Sequence, residues 1–137
     1  MGVIRRRSTE NGVDRWADVE GKVYRGAEGP RGVKQILIGP DDGAPNFAVR
    51  IFQIEPGKSS NEEDHPHDHG VFIQQGRARV LLGDRTHEVT AGDFVWVEPN
   101  ERHRFESLGP ETLQFLCVVP DWGETDAKAV APAPGSC

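Results

Sequence analysis

Residues 61–70 read Asn-Glu-Glu-Asp-His-Pro-His-Asp-His-Gly and hold three of the five histidines of the chain. Within this stretch Glu63, His65, His67 and His69 occupy alternate positions. Alternate side chains of an extended strand point to the same face, and divalent transition metals accept imidazoles and carboxylates as ligands. The stretch therefore predicts a metal site. The alternative is an exposed polar loop in which the same charged residues are simply solvated.

The segments around this stretch indicate an all-β fold. Sixteen glycines and ten prolines interrupt the chain, which leaves little room for a long amphipathic helix. Short runs rich in Val, Ile, Phe, Leu and Thr lie between the turn residues and favour strands. The predicted strands are residues 33–38, 47–54, 70–75, 78–82, 86–90, 94–98, 103–108 and 113–119. Many short strands without intervening helices predict an antiparallel sandwich or barrel.

The length of 137 residues predicts one domain. We expect residues 33–120 to form the β-barrel domain. Residues 1–32 are predicted to be a loose N-terminal arm with one or two strands, in which Trp16 and Tyr24 need burial. Residues 121–137 are rich in Ala and Pro and predict a flexible tail.

The charge distribution argues against a nucleic-acid partner. The net charge is −6, and residues 35–137 hold seventeen acidic and eight basic residues, whereas phosphate binding needs clustered cations. No apolar run reaches the roughly 18 residues of a membrane span. No secretory signal follows the basic residues near the N-terminus, and the two cysteines, Cys117 and Cys137, form no C-x-x-C pair. These features predict a reduced, cytoplasmic protein without a membrane partner.

Two glycine-bounded motifs resemble those of the cupin superfamily. The first cupin motif, Gly-x5-His-x-His-x3-Glu-x6-Gly, matches the spacing from Gly57 to Gly76, with Glu63 and His69 in exchanged ligand positions. The second motif resembles the stretch from Gly92 to His103, with one extra residue before its proline. Fifteen residues separate the two motifs. This resemblance implies a single-domain jelly-roll β-barrel, the double-stranded β-helix.

The resemblance also implies the metal ligands, which are Glu63, His65, His69 and His103. The chain is similar to a subgroup of small single-domain cupins that carry His in the fourth ligand position and hold manganese or a related divalent ion. Manganese or iron is the expected metal, and imidazole ligands also suit Zn, Ni and Cu. Two alternatives stay open. Glu62 or Asp64 can replace Glu63, and a shifted register can pair His65 with His67, although it then needs a ligand near Val71 or Phe72.

Further residues are candidates for the substrate pocket. His67 is a candidate acid–base group at the pocket mouth, and the alternative is an exposed imidazole beside Asp68. Arg50 and Arg104 are candidates for orienting an anionic substrate, unless they lie on the surface. The candidate lining residues, each of which can instead be ordinary core, are Phe72, Trp96, Phe105, Phe115 and Cys117.

Three functions agree with these features. The first, supported by the resemblance, is a metal-dependent oxidoreductase of the dioxygenase type acting on a small molecule at a Mn or Fe site. The second is a non-redox metalloenzyme, such as an isomerase or cyclase, in which the ion polarises a carbonyl and His67 is the base. The third is a ligand-binding module without turnover. The resemblance further implies a homodimer, in which the N-terminal arm adds a strand to the partner's sheet edge.

Overall fold

The computed structural model describes residues 2–124 and is almost entirely β structure, which confirms the predicted fold class. A 3-10 turn at Pro40–Asp42 lies between two strands, and a helical turn at residues 121–124 follows the last strand. The eight strands predicted from the sequence correspond to the last eight of the described strands. These strands are β1 Arg7–Glu10, β2 Val13–Trp16, β3 Gly21–Gly26, β4 Gly29–Ile38, β5 Phe47–Ile54, β6 His69–Gln75, β7 Arg77–Leu82, β8 Arg85–Thr90, β9 Phe94–Val97, β10 His103–Ser107 and β11 Leu113–Pro120.

Two sheets enclose the core. Six strands form the larger sheet in the order β3-β4-β5-β11-β6-β9, and β10-β7-β8 form the smaller one. The ring of Phe115 in the larger sheet stacks on Phe105 of the smaller sheet at 4.9 Å and on Phe52 at 5.3 Å. All three rings are fully buried, so this aromatic stack joins the two sheets.

Alternation along β6 and β9 decides which side chains face the interior. In β6, His69, Val71 and Ile73 are buried, whereas Phe72 points outward and is 42% exposed. β9 pairs antiparallel with β6 and follows the same rule, with Val97 opposite His69. The period of two therefore places the first residue of β6 inside the barrel.

The N-terminal segment is more ordered than the sequence predicts. It forms three strands and the beginning of β4, which crosses the predicted boundary at residue 33. β3 and β4 belong to the larger sheet, and Tyr24 of β3 is buried against Phe52. A Cβ at Gly32 would overlap the carbonyl of Gln53. The glycine that looks like a strand breaker thus permits the close pairing of β4 with β5.

The segment predicted as a flexible tail begins with an ordered turn. Residues 121–124 are helical, and Glu124 is 1% exposed. The rest of that prediction, residues 125–137, lies outside the described residues. Between residues 2 and 124, no helix has the length and apolar character required to cross a membrane.

Candidate metal centre

Three histidines meet inside the barrel. His69 is the first residue of β6, His103 is the first residue of β10, and His65 lies in the loop before β6. Each offers one ligand atom, and these atoms all lie within 4.8 Å of one another. His69 and His103 are 1% exposed, and the side chain of His65 is 17% exposed. The structure therefore brings together three of the four predicted ligands as one group.

Hydrogen bonds orient two of these rings. Nδ1 of His103 lies 2.9 Å from the carbonyl oxygen of Glu101, which can only accept, so we assign the ring hydrogen to Nδ1. Nδ1 of His69 lies 3.5 Å from Sγ of Cys117. Donation from Nδ1 leaves the Nε2 lone pair of each ring available for a cation, which is how protein metal sites commonly fix their histidines.

The donor atoms fit a divalent metal ion. Nε2 of His69 is buried and makes no hydrogen bond with a described residue. A buried imidazole nitrogen without a hydrogen bond is costly, and a bound cation would satisfy this atom. Burial is the main cause that lowers the pKa of His69, which favours the neutral imidazole that a metal requires.

Glu63 lies at the edge of this group. Its backbone forms an antiparallel bridge with His103, with N···O distances of 3.1 Å and 2.9 Å. Its carboxylate Oε2 is 3.0 Å from Nε2 of His65. Of the two alternatives, Glu62 forms exposed ion pairs with Arg102 and Arg104, and Asp64 is exposed. Glu63 is thus the acid of this loop that contacts the histidine group.

His67 is buried beside the same group. Its ring stacks on His65 at 5.0 Å with an interplanar angle of 7°, and it lies 4.7 Å from the ring of His69. Only 6% of the residue is exposed, so it is not an exposed imidazole beside Asp68. Burial, followed by the neighbouring His69, lowers the pKa of His67 to about 4. The imidazole is consequently neutral at neutral pH.

Strand alternation divides the other predicted pocket residues into a group inside the barrel and a group outside it. Arg50, Phe105, Phe115 and Cys117 face the interior and are at most 1% exposed. Cys117 pairs with Arg50 across the sheet, so both side chains point to the same face. The two phenylalanines belong to the aromatic stack of the core.

Three predicted pocket residues lie outside the barrel, which corrects their assignment. Phe72 and Trp96 are 42% and 52% exposed, because each occupies the outward position between two buried residues of its strand. Arg104 alternates with buried His103 and Phe105 and reaches Glu62 at the surface. For Phe72 and Trp96 the register near Pro66 and Gly70 decides the face, since a shift of one residue reverses the face of every side chain. Arg104 takes the surface position that the sequence left open as its alternative.

Arg50, a candidate from the sequence, belongs to a buried group of charges whose other members, Lys34 and Glu124, were not predicted from the sequence. Nη1 of Arg50 is 2.8 Å from Oε1 of Glu124, and Nζ of Lys34 is 3.2 Å from the same oxygen. Burial alone would raise the pKa of Glu124, but the two cations outweigh it and hold that pKa below its usual value. Burial, and secondarily Arg50, lower the pKa of Lys34 to about 8. The sequence signal for this group of charges was Lys34, a charged residue within a run of apolar strand residues.

Comparison with known proteins identifies the family. Residues 50–119 match the family model described as Cupin_2, a cupin domain. The chain is 32% identical over 107 residues to the 1-methylthio-D-xylulose 5-phosphate methylsulfurylase of Rhodospirillum rubrum, an alignment that covers 77% of this chain and 68% of that protein.

Two crystal structures agree with this assignment. A cupin 2 conserved barrel domain protein from Rhodopseudomonas palustris has a TM-score of 0.72 at 30% identity, over 86% of this chain and 80% of that chain. The polyketide cyclase RemF from Streptomyces resistomycificus has a TM-score of 0.67 at 29% identity, over 75% and 74% of the two chains. With its interior histidine group and its matching barrel, the chain belongs to the cupin superfamily.

Proposed function

We propose that this cupin is a metal-dependent enzyme that transfers a proton on a small, carbonyl-bearing organic molecule. His65, His69 and His103 would hold a divalent ion, with Glu63 beside them. The proposal rests mainly on one observation, the buried His67 stacked on the candidate ligand His65. A base in direct contact with a metal centre is what proton abstraction beside a carbonyl requires.

The bound ion and His67 would have different chemical roles. A divalent ion bound here would supply Lewis acidity. Nδ1 of His67 lies 3.4 Å from the carbonyl oxygen of Asp68, and donation to that oxygen leaves the Nε2 lone pair to take up a substrate proton and to return it. Trp122 lies edge-on to the ring of His67 at 5.5 Å and shields the imidazole from water. The names of two relatives, a methylsulfurylase and a polyketide cyclase, support a small organic substrate.

Dioxygenase-type chemistry is the second candidate. Its support is the donor set, because three converging imidazoles suit Mn and Fe as well as Zn. Fe or Mn with open coordination positions can activate dioxygen. The presence of a buried base does not exclude this chemistry, so the two candidates need a direct comparison.

Hydroxyacetone can serve as a probe that separates the two candidates. The protein is loaded in parallel with Mn, Fe and Zn, and exchange of the probe's C–H hydrogens with deuterated water is followed by NMR while an electrode records oxygen uptake. The proton-transfer proposal predicts exchange above the buffer rate, without oxygen uptake. Oxygen uptake with Fe or Mn would favour the dioxygenase instead, and exchange at the buffer rate with every metal would contradict the proposal.

Two histidine variants make that experiment specific. His67→Gln should abolish catalysed exchange while the protein keeps its metal. His87→Gln is the matched control, because His87 is exposed on β8, and this variant should exchange at the wild-type rate. Full exchange in His67→Gln would remove His67 from the proposed mechanism.

We also propose that two copies of the chain associate through the outer face of the larger sheet. This face exposes a patch of apolar side chains, which are Phe72, Phe94, Trp96 and Val118, and exposed patches of this kind commonly mark interfaces. Light scattering should show a dimer for the wild-type chain and a monomer for Phe94→Glu. Val23→Glu on the edge strand β3 tests the route through the N-terminal arm. If this variant is the monomeric one, the outer-face proposal is wrong.

A further inference from the structure

Two buried cations face the interior of the barrel next to the metal centre. Lys34 of β4 is 6% exposed and Arg50 of β5 is 1% exposed. Both lie over the ring of Phe52, with Nζ of Lys34 at 5.6 Å and Cζ of Arg50 at 5.4 Å from the ring centroid. Positive charge in a core is costly unless it is compensated, and the metal chemistry described above does not use either side chain.

Arg50 is linked to the histidine group through Cys117. Its Nη2 donates to Sγ of Cys117 at 3.3 Å, and the same sulfur lies 3.5 Å from Nδ1 of His69. One cysteine side chain thus separates the guanidinium from a candidate metal ligand. An anionic group at Arg50 would therefore lie close to the metal centre.

The carboxylate of Glu124 now occupies the position between these cations. Its Oε1 is 2.8 Å from Nη1 of Arg50, and its Oε2 accepts from Nζ of Lys34 at 3.3 Å. Glu124 comes from the short turn of residues 121–124, outside the barrel strands. An anionic group that replaced this carboxylate would meet the same two cations.

The same turn covers His67, which lies beside the metal centre. Trp122 contacts the ring of His67, and a Cβ at Gly123 would come within 2.8 Å of that ring. The backbone N–H of Asp121 donates to the carbonyl of Asn46 at 3.2 Å. A displacement of the turn would therefore uncover the face of His67 and withdraw the Glu124 carboxylate together.

An outer cavity gives no easy route for an anion. Glu124 also lines a cavity of about 260 Å³, whose other charged lining residues are the acids Asp18, Glu20, Asp41 and Asp42 and the bases Arg5 and Lys22. The acids outnumber the bases, so this lining disfavours an anion. Entry past Trp122, on the side of His67, avoids this lining and requires that the turn moves.

We propose that Arg50 and Lys34 form a subsite for a carboxylate or phosphate group of the substrate, and that Glu124 occupies this subsite until the substrate displaces the turn. The identification of the ligand as a substrate rests on the proposed function, whereas the anion subsite itself does not. Glu124 is then both the counter-ion of the resting protein and a competitor of the substrate.

Anion titration of the full-length chain tests the subsite. Inorganic phosphate and acetate are titrated by calorimetry into the wild-type protein and into Glu124→Gln, each with and without a bound divalent ion. Removal of the competing carboxylate should strengthen the binding of at least one anion tenfold or more, also in the metal-free protein. The anion that gains more identifies the group as phosphate or carboxylate. Equal affinities in Glu124→Gln and the wild type, for both anions, would overturn the proposal.

Two further variants supply controls. Glu106→Gln removes a glutamate that is ion-paired to Arg79 at the surface, and it should bind anions like the wild type. Glu124→Gln combined with Arg50→Met should lose the gained affinity. If Glu124→Gln binds an anion more tightly in the metal-free protein but no catalysis is found, the anion subsite stands and only the proposed function is refuted. The two failures are therefore distinguishable.

Tryptophan fluorescence of the wild-type protein tests whether the turn of residues 121–124 is displaced, and it needs no destabilising variant. The anion that gains affinity should change the emission of the wild-type protein, because Trp122 leaves the ring of His67. Trp122→Phe should remove this change. An unchanged wild-type emission at saturating anion would show that the turn does not move, which would contradict the proposed displacement.

Discussion

The sulfur of Cys117 lies 3.5 Å from Nδ1 of His69, and the same sulfur accepts a hydrogen bond from Arg50. The side chains come from neighbouring strands, because β11 pairs with both β5 and β6. This contact fixes the plane of the imidazole, so that Nε2 faces the other two histidines. Cys117 is therefore a positioning residue rather than a metal ligand in the geometry described here.

Replacement of Cys117 should weaken the metal site. Cys117→Ala removes the acceptor for Nδ1 of His69, and loss of such a supporting contact costs about 10–100-fold in metal affinity. Cys117→Ser keeps an acceptor and should lose less. Competition with a chromophoric chelator measures both affinities, and wild-type affinity in Cys117→Ala would show that the contact has no positioning role.

Replacement of Glu63 tests the fourth predicted ligand. Glu63→Ala should weaken metal binding, because it removes the carboxylate that lies 3.0 Å from Nε2 of His65. Glu63→His offers an imidazole at the same position and should retain binding. The matched control is Glu62→Ala, whose carboxylate forms surface ion pairs with two arginines. Full affinity in Glu63→Ala would exclude Glu63 as a ligand.

The buried lysine makes stability depend on alkaline pH. The pKa of Lys34 is lowered from 10.5 to about 8 by burial and by Arg50. Between these two values the unfolded chain binds more protons than the folded chain, so the free energy of unfolding should rise as pH rises. Urea unfolding at pH 7.5 and pH 10 should show this gain in the wild type, on the order of 1–3 kcal/mol, and a smaller gain in Lys34→Met. Identical gains in both proteins would contradict the shifted pKa.

The aromatic stack should dominate the stability of the barrel. Phe115 lies between Phe52 and Phe105 and is fully buried, so Phe115→Ala should lower the free energy of unfolding by about 3–5 kcal/mol. Phe47 is 52% exposed, and Phe47→Ala should cost less than about 1 kcal/mol. Urea unfolding at pH 7.5 measures both changes. Equal losses of unfolding free energy in the two variants would show that the aromatic stack does not dominate the stability of the barrel.

The barrel strands could be predicted from the sequence because each strand has its own local sequence signal. Alternating apolar residues and turn glycines indicated β4–β11, and the spacing of the histidines indicated the metal centre. The N-terminal strands were underestimated because glycines and prolines around Gly32 look like breakers. In the structure this glycine permits a close approach of two strands, which depends on the partner strand and not on the residue itself.

The rest of the site depends on contacts between residues far apart in the sequence. Glu124 is 74 residues from Arg50, and no local pattern indicates that a residue of the predicted tail is buried against this arginine. The positions of Phe72 and Trp96 depended on strand register, which a proline and a glycine near the histidines obscured. His67 was identified as a candidate, but its burial follows from Trp122 and Gly123, whose location the sequence did not predict.

Elemental analysis of the untagged protein, purified without added metal, tests the central claim most directly. We predict one divalent ion per wild-type chain and its loss in His65→Ala and in His103→Ala, because each variant removes one of the three converging imidazoles. His67→Ala should retain the ion. Near-wild-type metal content in His65→Ala or His103→Ala, or a wild-type protein that binds none of Mn, Fe, Ni, Cu and Zn when they are offered, would contradict the account.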